Sequence, residues 1–207
     1  MGRDALTRNT TGSENFAIGK ASLFNNTIGS SNTALGSNAL RNNISGDNNI
    51  GIGNYAQVPS TTASNQVRIG NASITYAGIQ VPWTVTSDRT WKESIRTLPY
   101  GLNLVMQLKP VDYLRKNNTN KTREIGFIAQ DVEALLIKVG YTDQGVLTSD
   151  DDGHLSLRYN DFISLLTKAI QEQQLEKEQQ DIKIAALKKQ NLVLLELIKR
   201  IETLEKK

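Results

Sequence analysis

Small and apolar residues return at a fixed interval through the first quarter of the chain. Gly12, Gly29 and Gly46 stand seventeen residues apart, as do Asn15, Asn32 and Asn49, then Gly19, Gly36 and Gly53, then Leu6, Leu23 and Leu40. The segments ENFAIGKAS, SNTALGSNA and DNNIGIGNYA fill the same slots alike, which marks a repeat array over residues 1–58. Each unit predicts a short alternating strand followed by an Asn/Gly turn, because those two residues tolerate left-handed backbone. One such strand cannot bury its face alone. Stacked units are expected to bury Ala17, Ile18, Ala34, Leu35, Ile50 and Ile52 along one spine, the logic of a β-roll or solenoid. A disordered Asn/Gly/Ser linker would lack these spaced hydrophobics.

The pattern then changes. Residues 59–86, including NQVRIGNASITYAGIQVPWTV, alternate β-branched and polar residues with turn signals at Gly70-Asn71 and Ala77-Gly78, and predict a β connector in the form of a short meander. Residues 87–160 mix periods and predict a small α+β domain. Within it, Trp91 to Leu108 has helix-like spacing, Val111 to Tyr113 reads as a strand, and Ile125 to Leu136 begins strand-like and turns helical. The acidic stretch TSDDDGHLS has neither the alternate-ligand spacing nor the final glutamate of a calcium hand, so it reads as a solvated hairpin turn and no metal site is assigned.

From Asp161 to Lys207 neither proline nor glycine interrupts the chain. Heptad a positions fall at Ile163, Ile170, Lys177, Ile184, Asn191, Ile198 and Glu205. The d positions fall at Leu166, Gln173, Gln180, Leu187, Leu194 and Ile201. A helix of this length runs roughly 70 Å, too far for one small domain to cover, so partner helices are required. The mixed Ile and Leu seam permits dimer or trimer, and Asn191 at an a position would restrict register.

Charge divides the chain at the same place. Residues 1–86 hold five basic and three acidic side chains, and charge is dense after Ser87. The net +3 comes from 24 basic and 21 acidic residues, a near balance that gives no reason to expect nucleic acid. There is no apolar run long enough to span a bilayer, and the opening MGRDALTRNT lacks the apolar core of a signal peptide. Without cysteine, and with His154 the lone histidine, thiolate and zinc-thiolate chemistry and a Ser-His-Asp triad within one chain are set aside. No cofactor is expected.

A different dyad sits at the boundary. In VTSDRTWKESI, Ser87 and Lys92 are five residues apart, and a lysine whose ammonium is destabilised can take a serine proton without a histidine. The same stretch also reads as a helix start capped by Ser87 or Thr90, with Thr90 and Glu93 forming a capping box and Lys92 solvated. Spacing alone favours the capping reading.

Two resemblances bear on this. The repeats at 5–58 resemble the head repeats of trimeric bacterial surface adhesins and fibre proteins. The motifs SDRTWKESI, LKPVDY, EIGFIAQDVEALL and LSLRYNDFISLLTKAI, in this order across 86–175, resemble the intramolecular chaperone family typified by phage endosialidase tails. That family sits at the ends of phage tail spikes and surface fibres, assembles as a homotrimer and cuts itself from the finished fibre with a Ser-Lys dyad. The resemblance implies Ser87 as nucleophile, Lys92 as general base and a cut beside Ser87 within Thr86, Ser87 and Asp88, with Gly126, Phe127 and Gln130 as scaffold. The chain departs from many relatives at Thr90-Trp91.

The expected fold class is therefore an α+β, multi-part fibrous trimer with β-roll repeats, a small chaperone domain at 87–160 and a coiled-coil helix at 161–207. The trimer seam would be formed by Ile163, Leu166, Ile170, Ile184, Leu187, Asn191, Leu194, Ile198 and Ile201. The function implied is a self-cleaving assembly chaperone of a tail fibre or of an extracellular surface or injection-system fibre. Its partners would be the other two copies and the upstream fibre of the same polypeptide, without membrane insertion and with no receptor assigned. The alternative is a permanent trimeric fibre tip or adhesin segment without proteolytic activity. Only Phe16, Phe24 and Tyr55 are scattered as aromatics through the repeats, which gives no evident carbohydrate platform.

Overall fold

The computed structural model describes residues 2–116, 121–142 and 144–205. Its first part is a four-stranded parallel sheet in chain order: β1 (Phe16–Ile18), β2 (Thr33–Leu35), β3 (Ile50–Ile52) and β4 (Val67–Ile69). Ala17 pairs with Ala34, Ala34 with Gly51 and Gly51 with Arg68, so every strand meets the one seventeen residues on. The meander expected after residue 59 is not formed. Val67–Ile69 continues the parallel ladder, and residues 71–88 carry no strand or helix.

The expected spine is corrected in its parity. Ala17, Ala34 and Gly51 point inward, while Ile18, Leu35 and Ile52 are exposed and Ile50 is half-buried. Strand side chains alternate faces, and in β1, β2 and β3 the central residue is the inward one, whereas β4 is exposed at all three positions. The inner position must be small because Leu23 and Leu40, both fully buried, fill the space from the turn. A Cβ on Gly51 would come within 2.6 Å of Leu40 Cγ. These leucines take left-handed backbone, φ 50° and 46°, a strained state for a branched aliphatic residue that their burial must offset.

Two asparagine columns close the turns. The side-chain N–H of Asn15 donates to Gly29 O at 2.7 Å, that of Asn32 to Gly46 O at 2.8 Å and that of Asn49 to Ala63 O at 2.9 Å. Their Oδ1 atoms accept from the next unit, Asn15 from Asn32 N and Asn32 from Asn49 N. The second column runs from Asn9 through Asn26 to Asn43, with Nδ2 to Oδ1 distances of 2.9 and 2.8 Å. Buried amides satisfied in this way stabilise and specify the stacking, whereas unsatisfied ones would cost heavily. The glycines at 12, 29 and 46 stand where a Cβ would approach the next unit's carbonyl to 2.2–2.5 Å.

The second part combines α1 (Leu102–Val105), the antiparallel pair β5 (Val111–Tyr113) and β6 (Glu124–Gly126), α2 (Ala129–Lys138), the hairpin β7 (Leu147–Ser149) and β8 (Leu155–Leu157), and α3 (Asp161–Glu205). The helix expected across Trp91 to Leu108 is reduced to one 3₁₀ turn, Arg89–Trp91, and the single turn of α1. Pro99 lies between them and biases Leu98 away from helical backbone. A core of Leu104, Val132, Leu135, Leu136, Val146, Phe162 and Leu165 joins α1, α2 and the start of α3. Phe127 stacks on Phe162 at 5.1 Å, and a Cβ on Gly126 would strike the Tyr159 hydroxyl, which accepts from Phe127 N at 3.0 Å. Gln130 is exposed on the first turn of α2.

Helix α3 buries Phe162, Leu165 and Ala169 against this core. The heptad residues Ile163, Leu166 and Ile170 lie one position further on and are exposed, as are Ile184, Leu187, Asn191, Leu194, Ile198 and Ile201. The helix thus has two apolar faces at its start and one free face thereafter. Lys206 and Lys207, the end of the expected helix, lie outside the described residues.

Candidate functional site

The residues around Ser87 are fixed by a short local device. Asp88 has extended backbone, φ −62° and ψ 143°, and its Oδ1 accepts from Thr90 N at 2.8 Å and from Thr90 Oγ1 at 2.7 Å. Trp91 N then donates to Asp88 O and Lys92 N to Arg89 O, closing the 3₁₀ turn. The capping residue is therefore Asp88, in place of the expected Ser87 or Thr90. The Thr90 hydroxyl is a donor to that cap and forms no box with Glu93. Three residues of 3₁₀ helix return the chain on itself, so that Lys92 Nζ lies 2.7 Å from Ser87 Oγ and donates to it.

Hydrogen bonds from the Thr90 backbone and hydroxyl hold the Asp88 carboxyl below its ordinary value, more than its small desolvation raises it, and the Lys92 charge adds to the lowering. Ser87, Asp88 and Lys92 are all exposed to solvent. A lysine acts as a base only where burial or a neighbouring cation destabilises its ammonium, and among the described residues none buries Lys92, which is exposed. The exposed segment leading to it carries Ile79, Val81, Trp83 and Val85 on alternate positions, with Trp83 75% and Trp91 82% exposed.

Two further features were not legible beforehand. Glu172 on α3 accepts from Leu102 N at 2.7 Å and pairs with Lys168 at 3.4 Å, so it caps α1 and ties the long helix to the small domain. Gly101 leaves the room, since a Cβ there would lie 2.3 Å from the Glu172 carboxylate. In the β7–β8 turn, Asp150 Oδ1 accepts from Asp152 N and His154 N. Asp150, Asp152 and His154 offer ligand atoms within 4.8 Å of one another, but Asp150 is already engaged in closing the turn. Asp151 is not merely solvated, as expected of this turn, because its carboxylate accepts from Thr61.

Residues 87–141 match a peptidase family model described as the chaperone of endosialidase. The match supports an endosialidase-type chaperone domain, and the matched span begins at Ser87, includes Lys92 and runs through α1, β5, β6 and α2. It supports the role of an intramolecular chaperone associated with phage tail fibres. Neither the parallel ladder nor α3 lies within the matched span. No curated protein and no solved structure matched the chain. Among the described residues no helix is long and apolar enough to cross a membrane.

Proposed function

We propose that this chain is part of a homotrimeric tail fibre or surface fibre, in which the endosialidase-type chaperone domain drives assembly and then cuts the backbone beside Ser87. The observation that carries this reading is the 2.7 Å contact between Lys92 Nζ and Ser87 Oγ at the first residues of the matched segment. The division proposed is a β-roll stalk built of seventeen-residue units, carried on to Gly70 by β4, then an exposed connector, the chaperone domain to residue 160 and a coiled-coil helix.

In the proposed reaction, Ser87 Oγ attacks the Thr86 carbonyl while Lys92, neutral at that moment, takes the hydroxyl proton. The Thr86–Ser87 amide bond breaks, and its nitrogen leaves as the Ser87 amine after receiving a proton from Lys92. Water then hydrolyses the Thr86–Ser87 ester, releasing a Thr86 carboxylate and the free serine hydroxyl. A cut at Ser87–Asp88 would instead need water to attack the Ser87 carbonyl, with Lys92 taking the water proton and Asp88 leaving as a free amine, because Ser87 Oγ reaching its own carbonyl would close a strained four-membered ring.

Trimer formation is supported by what a single chain leaves uncovered. The heptad face of α3, the outer row Ile18, Leu35, Ile52 and Ile69 of the ladder, and the alternating residues Ile79 to Val85 are all exposed, and exposed apolar rows of this kind mark association surfaces. Covering the connector with two further copies would also desolvate Lys92 and supply oxyanion donors. The reading of a permanent, uncut fibre tip draws on the exposure of the dyad in one chain. Denaturing intact mass of wild type beside Ser87→Ala and Lys92→Ala decides between them: two fragments meeting beside Ser87 in wild type alone support self-cleavage, and one full-length species in all three supports the uncut tip.

A further inference from the structure

The β7–β8 turn reaches back across the chain to the last unit of the parallel ladder. Asp151 Oδ2 accepts from Thr61 N at 2.7 Å and from Thr61 Oγ1 at 2.9 Å, while Asp151 N donates to Pro59 O at 2.9 Å. One residue thus uses its backbone donor and its carboxylate on a three-residue segment ninety positions away. Both sides of the contact are held independently. Thr61 O accepts from Ile44 N at 2.7 Å, which locks the segment into the ladder, and Ser60 N donates to Gln66 Oε1. On the other side, Asp150 N donates to His154 O and Asp150 Oδ1 accepts from His154 N at 2.7 Å, which sets the turn that presents Asp151. A crevice of about 310 Å³ lies beside the contact, lined by Tyr55, Arg68 and Asn71 from the ladder side and Ser149, Asp152 and Ser156 from the hairpin.

Pro59 and Thr61 precede Ser87, whereas Asp151 follows it. These hydrogen bonds therefore join the two parts that a break in residues 71–88 would separate. We propose that the β7–β8 turn is a clamp on the Pro59–Thr61 segment, and that it keeps the chaperone domain docked on the ladder after the backbone between them is cut. The clamp itself is independent of self-cleavage. Only its use on a naturally cut chain rests on the function proposed above.

The test supplies the cut from outside. A recognition sequence for a specific protease is inserted after Gly78 in the full-length Ser87→Ala chain, the protein is cleaved at neutral pH, and fragment retention is followed by size-exclusion chromatography. The two fragments are expected to co-elute, with Asp151→Ala speeding their separation at least tenfold, Thr61→Val speeding it less and Asp152→Ala leaving it unchanged. In the uncut protein, Asp151→Ala is expected to accelerate hydrogen exchange at the Thr61 amide, a readout that does not depend on cleavage. Fragments that part at once with Asp151 intact, or that stay together equally in Asp151→Ala, overturn the clamp. The latter result would assign retention to trimer contacts. Failure of wild-type self-cleavage would be seen separately, by denaturing mass of the Ser87 protein.

Discussion

Lys92 Nζ stands 2.7 Å from Ser87 Oγ across a single 3₁₀ turn that Asp88 caps. If the pair is the cleavage dyad, Lys92→Ala should slow cleavage by about 100-fold or more, the ordinary contribution of a positioned general base, without altering assembly. Quantified fragment yield over time after expression, with native mass for stoichiometry, is the check.

Asp88 offers a separable prediction because it touches neither the Ser87 hydroxyl nor the Lys92 amine. Asp88→Ala removes both Thr90 hydrogen bonds and should slow cleavage several-fold, less than Lys92→Ala, with Asp88→Asn keeping part of the rate through its remaining acceptor. The same bonds hold the Asp88 carboxyl below 3.8. Since the folded value is depressed, the cap's contribution is fully present above the ordinary carboxylate value and is lost as pH falls through the lower folded value. A carboxyl NMR titration should give a midpoint below 3.8 for Asp88 and a return toward that value in Thr90→Ala.

The turn leucines of the ladder should behave as core residues despite their left-handed backbone. Leu40→Ala is expected to destabilise the protein by about 2–5 kcal/mol, as for other buried leucine truncations. Gly51→Val should also destabilise it, since even a Cβ meets Leu40. Ile18→Ser, on the exposed face, should leave a single chain's stability nearly unchanged and weaken association instead. Chemical denaturation with stoichiometry by native mass separates Ile18→Ser from the other two.

Much of this was legible in residue spacing, and the failures have physical causes. The seventeen-residue period located the strands, yet a three-residue strand with apolar residues at both ends does not reveal which parity faces in. The small central residues Ala17, Ala34 and Gly51 were the available signal, because an inner slot shared with Leu40 admits nothing larger. The Asn9, Asn26 and Asn43 column stands at the same interval, but asparagine is common in turns and its spacing alone does not mark it as buried. Around Ser87 the capping and dyad readings competed for the same residues. The structure contains both a cap, supplied by Asp88, and a Ser87–Lys92 contact, so the two were never exclusive. Asp151 on Thr61 and Glu172 on Leu102 leave no local pattern, since they join residues far apart in the chain.

Helix α3 has one face in the domain core and another exposed, which allows the two roles to be cut apart. Truncation after Gln173 keeps Phe162, Leu165, Ala169 and Glu172 with the small domain and removes most of the heptad seam. The truncated chain is expected to lose trimer formation while its chaperone domain stays folded. Ile184→Asp combined with Ile198→Asp in the full chain should do the same. Native mass together with circular dichroism reports both properties.

The central claim, a chain that assembles as a trimer and cuts itself beside Ser87, is tested most directly by denaturing intact mass of purified wild type next to Ser87→Ala and Lys92→Ala, with native mass on each. The expected result is two fragments meeting at Thr86–Ser87 or Ser87–Asp88 in wild type and intact trimers in both variants. A full-length chain in all three would contradict self-cleavage and leave a permanent fibre tip.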